Sequence, residues 1–179
     1  MGLNVRRIVI SGLLGAVAIL LGATGLGFIP VPTPAAHATI MHVPAVIGGV
    51  LEGPVVGLLV GLIFGLFSFL RATNPIFADP LVAILPRLFI GVTSAYAYRG
   101  LRRLGMVPGL AVAATVGTLT NTVLVLAMAV LRGYLPAPVA WAVGFTHGVP
   151  EIIVAALITV AVGLGLARMT GWEAKDGAS

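Results

Sequence analysis

His37 to Leu70, HATIMHVPAVIGGVLEGPVVGLLVGLIFGLFSFL, decides the fold of this chain. It joins a histidine-bearing apolar segment to one with glycine at every fourth position, Gly53, Gly57, Gly61 and Gly65. Residues at i, i+4 share one helical face, and a face without Cβ atoms lets a second helix come close. In a soluble helix each such glycine costs roughly 1 kcal/mol relative to alanine. In lipid, where burying apolar surface gives no drive for association, close backbone contact is what joins helices. Glu52, Gly53 and Pro54 interrupt the stretch, so it is expected to form two crossings joined by a very tight turn.

The composition around this stretch agrees. With 59% hydrophobic residues, 8% charged residues and a mean hydropathy of +1.15, the chain is an integral membrane protein without a charged, solvated shell. At about 20 residues per spanning helix, 179 residues hold roughly six crossings and no separate soluble domain. The expectation is an all-α bundle forming a single transmembrane domain over residues 1–179. Alternation over ~10-residue segments, the mark of a membrane barrel, is absent. The lack of cysteine excludes disulfides, thiolate metal sites and thiol catalysis. The net charge of +5 does not indicate nucleic acid, because the arginines sit at segment ends in small groups without interleaved aromatics.

The expected helices are approximately 8–28, 39–51, 53–70, 80–98, 110–131 and 139–169. Proline-rich FIPVPTP is an extended loop after the first, and RATNPIFAD, RGLRRLGMVPG and RGYLPAP separate the later ones. The second is short and is expected to be tilted or broken, and Pro150 should kink the sixth. Arg6, Arg7, Arg99, Arg102, Arg103, Arg168 and Lys175 fall on the side of the termini, against Arg71 and Arg132 opposite. Both termini are therefore expected in the cytoplasm of a multi-pass plasma-membrane protein. Ala36-His37-Ala38 resembles a leader-cleavage site, but the apolar run before it is longer than a usual signal-peptide core and is taken as a spanning helix.

Ionisable groups inside such a chain are functional candidates, since each costs about 2.5 kcal/mol or more unless paired or hydrated. Arg87 leads, some seven residues into the fourth segment and so about 10 Å along its axis. Asp79, His42, Asn121, His147 and Glu151 fall at similar depth, which implies one polar cavity open to the outside. Each has a structural alternative. Arg87 could neutralise Glu151, the histidines could be packing residues, and Asn121 in TLTNTV could join helices. His147 and Glu151, one turn apart, could hold a metal with His42 or Asp79, but no H-E-x-x-H signature accompanies them. Trp141 and Tyr134 suit the membrane interface, while His37, Thr39 and Asn74 lie in loops. No phosphate-binding G-x-x-x-x-G-K-[ST] loop is present, so the chain cannot power transport by nucleotide hydrolysis. On the first helix, Ser11, Gly15, Ala18, Gly22 and Gly25 make a small-residue stripe for a partner helix, with Gly12 and Ala16 beside it.

Four runs, FIPVPTPAAHATIMHVPAVIGGVLEGPVVGLLVGLIFGLFSFL, NPIFADPLVAILPRLFIGVTSAYAY, TLTNTVLVL and THGVPEIIVAALIT, resemble in sequence and order the substrate-binding S component of energy-coupling factor (ECF) vitamin transporters. The resemblance implies a six-helix subunit that captures a vitamin with high affinity on its outer side. Such a subunit joins a transmembrane coupling subunit and two cytoplasmic ATPases, and delivers its cargo by toppling. A-T-I-M-H-x-P and L-P-R-L-x-I-G are most similar to pantothenate-type members, while other members take folate, riboflavin or cobalamin. Pantothenate carries one carboxylate, hydroxyls and an amide, which Arg87 and Asn121 could answer. Folate, with two carboxylates and an aromatic ring system, calls for more cations and stacking surface than 7% aromatics offer.

The expected substrate-binding set is Arg87, Asn121, His42, His147, Glu151, Asp79, Asn74 and His37. Gly12 and Ala16 match the family's A-x-x-x-A docking pair, with glycine in the first place. No catalytic residue, metal or cofactor is expected, and the partners are the vitamin, the ECF module and membrane lipid. Two rivals differ in class: an intramembrane metal-dependent hydrolase using His42, His147 and Glu151, and a self-sufficient small carrier.

Overall fold

A computed structural model describes residues 4–30, 37–72 and 74–170, apart from the side chains of His37, Ala38 and Thr170. Helix α1 (Val5–Thr24) starts where the Asn4 side chain accepts a hydrogen bond from Arg7 N at 2.9 Å. It ends at Thr24, short of the expected Phe28, because Gly25 adopts φ +80°, a left-handed cap that closes the helix. Part of the expected extended loop is a hairpin: β1 (Phe28–Pro30) pairs antiparallel with β2 (His37–Thr39), Phe28 opposite Thr39. Proline is tolerated there because the pair has only edge strands.

The hairpin delays α2 (Val43–Glu52) past its expected start at Thr39. Its 10 residues span about 15 Å, half the hydrocarbon thickness. It is apolar on nearly every face and lies in the middle of the bundle, touching α1, α3 and the three long helices nearer the C-terminus. Gly53, at φ +97°, turns the chain directly into α3 (Pro54–Arg71), whose proline sits in the first turn where no intrahelical donor is needed.

The fourth segment is interrupted. Asp79 caps the short α4 (Pro80–Ala83), and α5 (Leu85–Leu101) begins after a break at Ile84. Helix α6 (Met106–Leu131) starts before the expected Leu110, since Pro108 fits a first turn. Helix α7 (Ala137–Thr170) carries Pro150 inside and, at about 51 Å, exceeds the bilayer core. Among the described residues five stretches are long and apolar enough to cross a membrane: 5–24, 54–71, 80–104, 106–131 and 137–169. With the short α2 they make an all-α membrane bundle.

Three glycines close its centre, Gly49 on α2, Gly57 on α3 and Gly91 on α5. A Cβ on Gly57 would lie 2.7 Å from Gly91 Cα and 2.8 Å from Gly49 Cα. One turn on, a Cβ on Gly61 would strike the Arg87 carbonyl oxygen, and one on Gly65 would lie 3.0 Å from Ile84 Cα. The glycine period of α3 is thus its seam with α5, and the obstacles are backbone atoms that no rotamer change can move.

The α1 stripe packs inside the bundle rather than awaiting a partner. Gly15 abuts Ile63, Gly22 abuts Met41 and Phe67, and Gly25 is the helix cap. Gly12 and Ala16 lie on the opposite, exposed face, where a Cβ on Gly12 would meet nothing within 4 Å. Arg6 pairs with Glu52 at 2.7 Å, joining the start of α1 to the end of α2. Lys175 lies outside the described residues.

Candidate functional site

Proline places the central arginine. Pro86 has no N–H to give to the carbonyl four residues earlier, which leaves Val82 O without its helical donor. Arg87 Nη1 donates to that oxygen at 2.5 Å. The guanidinium lies 4.8 Å from the centroid of Phe77 and 5.5 Å from that of Phe64, so two aromatic faces flank the cation. Arg87 Nε has no hydrogen-bond partner among the described residues.

Further buried polar groups come from the hairpin exit, α6 and α7, of which His42 and Glu151 act on Arg87 through space. His42 is 0% exposed, Glu151 3%, Arg87 4% and Asn121 7%. His42 Nε2 is 2.8 Å from Thr118 Oγ1, and that hydroxyl donates to Ala114 O at 2.9 Å. Asn121 lies one turn beyond Thr118 on α6, and its Oδ1 has no partner among the described residues, nor has His42 Nδ1. Glu151 accepts from Thr39 N at 3.1 Å and from the Thr122 hydroxyl at 3.4 Å, tying α7 to β2 and α6. Arg87 and Glu151 act on each other through space, but the hydrogen bonds of each go elsewhere. Direct neutralisation therefore does not describe the pair.

Three more expected residues lie ahead of α4 and on α7. Asp79 caps α4 through Leu81 N at 2.9 Å and accepts from Arg132 Nε at 2.6 Å and the Tyr134 hydroxyl at 3.2 Å. It clamps the segment before α4 to the loop between α6 and α7. The hydrogen bond from Arg132 holds its carboxyl below the usual aspartate range. Asn74 is exposed and caps the short 3-10 turn Pro75–Ala78 through Ile76 N at 3.2 Å. That turn carries Phe77 to Arg87. His147 is half-buried on α7, and the His37 side chain lies outside the described set. Among the described residues no three His, Asp or Glu side chains come together as a metal site, so the hydrolase rival lacks its ligand set.

Thr118, Thr122, Phe64 and Phe77 were not expected in the site. Hydroxyls and aromatics occur throughout an apolar sequence, and only Thr118 and Thr122, in TLTNTV with Asn121, carried any signal.

The family model for the substrate-specific component of ECF transporters matches residues 6–163 of this chain. The chain belongs to that family. This S component is 28% identical over 152 residues to the pantothenic acid transporter PanT of Lactococcus lactis subsp. cremoris (strain MG1363). The alignment covers 69% of this chain and 74% of the relative. A solved S component of a bacterial ECF transporter shares the fold with a TM-score of 0.59, covering 93% of this chain and 95% of its own at 19% identity. Membership makes this chain the substrate-specific component of a membrane transporter, and implies a vitamin substrate and partner subunits.

Proposed function

We propose that this S component binds pantothenate and that Arg87 receives its carboxylate. The observation carrying the proposal is the buried guanidinium itself, fixed on Val82 O and flanked by two aromatic rings, with Nε unpartnered among the described residues. A buried charge without a contacting counter-ion is costly, and a ligand carboxylate removes that cost. A planar fork already held on one side offers its remaining donors with little further loss of freedom. His42 Nδ1 and Asn121 Oδ1 suit the hydroxyls and amide of the same molecule. Arg87 is the one buried arginine among the described residues, which fits one carboxylate better than the two of folate. The likeness to a pantothenic acid transporter supports the same choice.

On this account the site faces outward and both termini are cytoplasmic, with Arg6, Arg7, Arg99, Arg102, Arg103 and Arg168 on the inner side. Asp79, Asn74 and His147 support the site's outer margin. The exposed Gly12 and Ala16 patch meets the coupling subunit, whose two ATPases supply the energy for release inside. The test is to purify the protein from rich medium, identify co-purified small molecules by mass spectrometry, and titrate it with pantothenate, folate, riboflavin and cobalamin. Pantothenate is expected to co-purify and to bind. Binding of another vitamin in its place overturns the assignment.

A further inference from the structure

We infer that Thr118 is a positioning residue that fixes His42 as a hydrogen-bond acceptor, so that the site selects a ligand group bearing an O–H or N–H. The inference rests on the binding site proposed above and adds the polarity of one of its contacts. A threonine hydroxyl has one proton to donate. Thr118 Oγ1 lies 2.9 Å from Ala114 O, a carbonyl that can only accept, so the proton goes there. Toward His42 Nε2, 2.8 Å away, the same oxygen can then only accept, which places the imidazole proton on Nε2. In a neutral ring Nδ1 is left as a bare lone pair. It is buried on a side chain with 0% exposure and has no partner among the described residues.

The surroundings supply no replacement. Asn121 Oδ1, one turn further along α6, is itself an acceptor without a partner. Arg87 Nη1 is engaged at Val82. The site thus has a cationic end at Arg87 and an accepting side at His42. It requires a ligand with an anionic group and, separately, a hydroxyl or amide N–H. Anions without such a donor leave Nδ1 desolvated and unpaired, which is how buried polar groups discriminate strongly between close analogues.

Two measurements test this independently. In ligand-free protein labelled with 15N-histidine, His42 is expected as the neutral tautomer protonated at Nε2; protonation at Nδ1 overturns the inference whatever the substrate. Titrations then compare pantothenate with analogues lacking one hydroxyl, or carrying an ester oxygen in place of the amide N–H. At least one analogue is expected to bind the natural protein about tenfold more weakly. Thr118→Val should weaken pantothenate by a similar factor and shrink that analogue's penalty, while Thr118→Ser should stay within about threefold of the natural protein. Equal penalties in the natural and Thr118→Val proteins overturn the inference. If Thr118→Val does not fold, Thr118→Ser and the 15N spectrum decide. Failure of the natural protein to bind pantothenate overturns only the substrate assignment, because the spectrum is recorded without ligand.

Discussion

Replacing Gly57 by alanine tests whether the glycine seam sets the position of the binding arginine. The new Cβ would stand 2.7 Å from the Cα of Gly91 and 2.8 Å from that of Gly49. Non-bonded carbons settle at about 3.5–4.0 Å, so α3 and α5 must part by about 1 Å. Every obstacle is backbone, and no side-chain rotation relieves it. Overpacking of this kind costs about 1–3 kcal/mol, offset by roughly 0.5–1 kcal/mol for alanine over glycine inside a helix. A net loss of up to about 2.5 kcal/mol follows. Gly91 lies one turn after Arg87, so the same separation shifts the guanidinium relative to the groups on α6. Denaturation midpoints and pantothenate affinity are measured in detergent beside Gly12→Ala, whose Cβ meets open space. Gly57→Ala should lower both quantities and Gly12→Ala neither. If the two variants prove equally stable, the three-glycine contact does not hold the helices at this distance.

Asp79→Asn removes the clamp to Arg132. The folded carboxyl titrates below the ordinary aspartate value of about 3.9, so the stabilisation is complete above that value and is lost as pH falls through the folded one. The thermal midpoint of the natural protein should stay above that of Asp79→Asn from pH 7 to about 5 and converge with it below about 4; a constant difference down to about pH 2 refutes the clamp. Leucine at both Gly12 and Ala16 should leave pantothenate affinity unchanged and reduce uptake by the assembled complex, because both positions are exposed and far along α1 from the site. Normal uptake excludes this patch as the docking surface, and a joint loss of folding and binding places it in the bundle's own packing.

Much of the architecture was legible because it rests on local periodicity. Hydropathy marks the apolar segments, and the four-residue spacing of Gly57, Gly61 and Gly65 identifies a close-packed face without naming its partner. That partner could not be read, since Gly49 and Gly91 meet Gly57 only through the tertiary arrangement. The hairpin was hidden by prolines that normally oppose strands, and the helix break at Ile84 arises from Pro86 acting one turn back. Within the site, counting residues from the segment end marks Arg87 as deep, but its anchoring on Val82 O follows from the adjacent proline. Asp79 carried two signals. An intramembrane charge suggests a ligand contact, and Asp before Pro at a helix start is also a capping signal; the structure shows the cap and the ion pair with Arg132. The role of Thr118 could not be read, because it depends on a histidine 76 residues away.

The most direct test of the whole account is a calorimetric titration of pantothenate into the natural protein, Arg87→Ala and Arg87→Gln. Glutamine keeps an N–H donor for Val82 O but has no charge, so it separates loss of the cation from loss of the helix contact. Removing a buried, hydrogen-bonded charge from its partner costs about 2–5 kcal/mol, or thirtyfold and more. Both variants are expected to fold and to lose pantothenate by at least that factor. If a folded Arg87→Ala protein binds within about threefold of the natural one, worth roughly 0.7 kcal/mol, Arg87 is not the carboxylate partner and the proposed site is wrong.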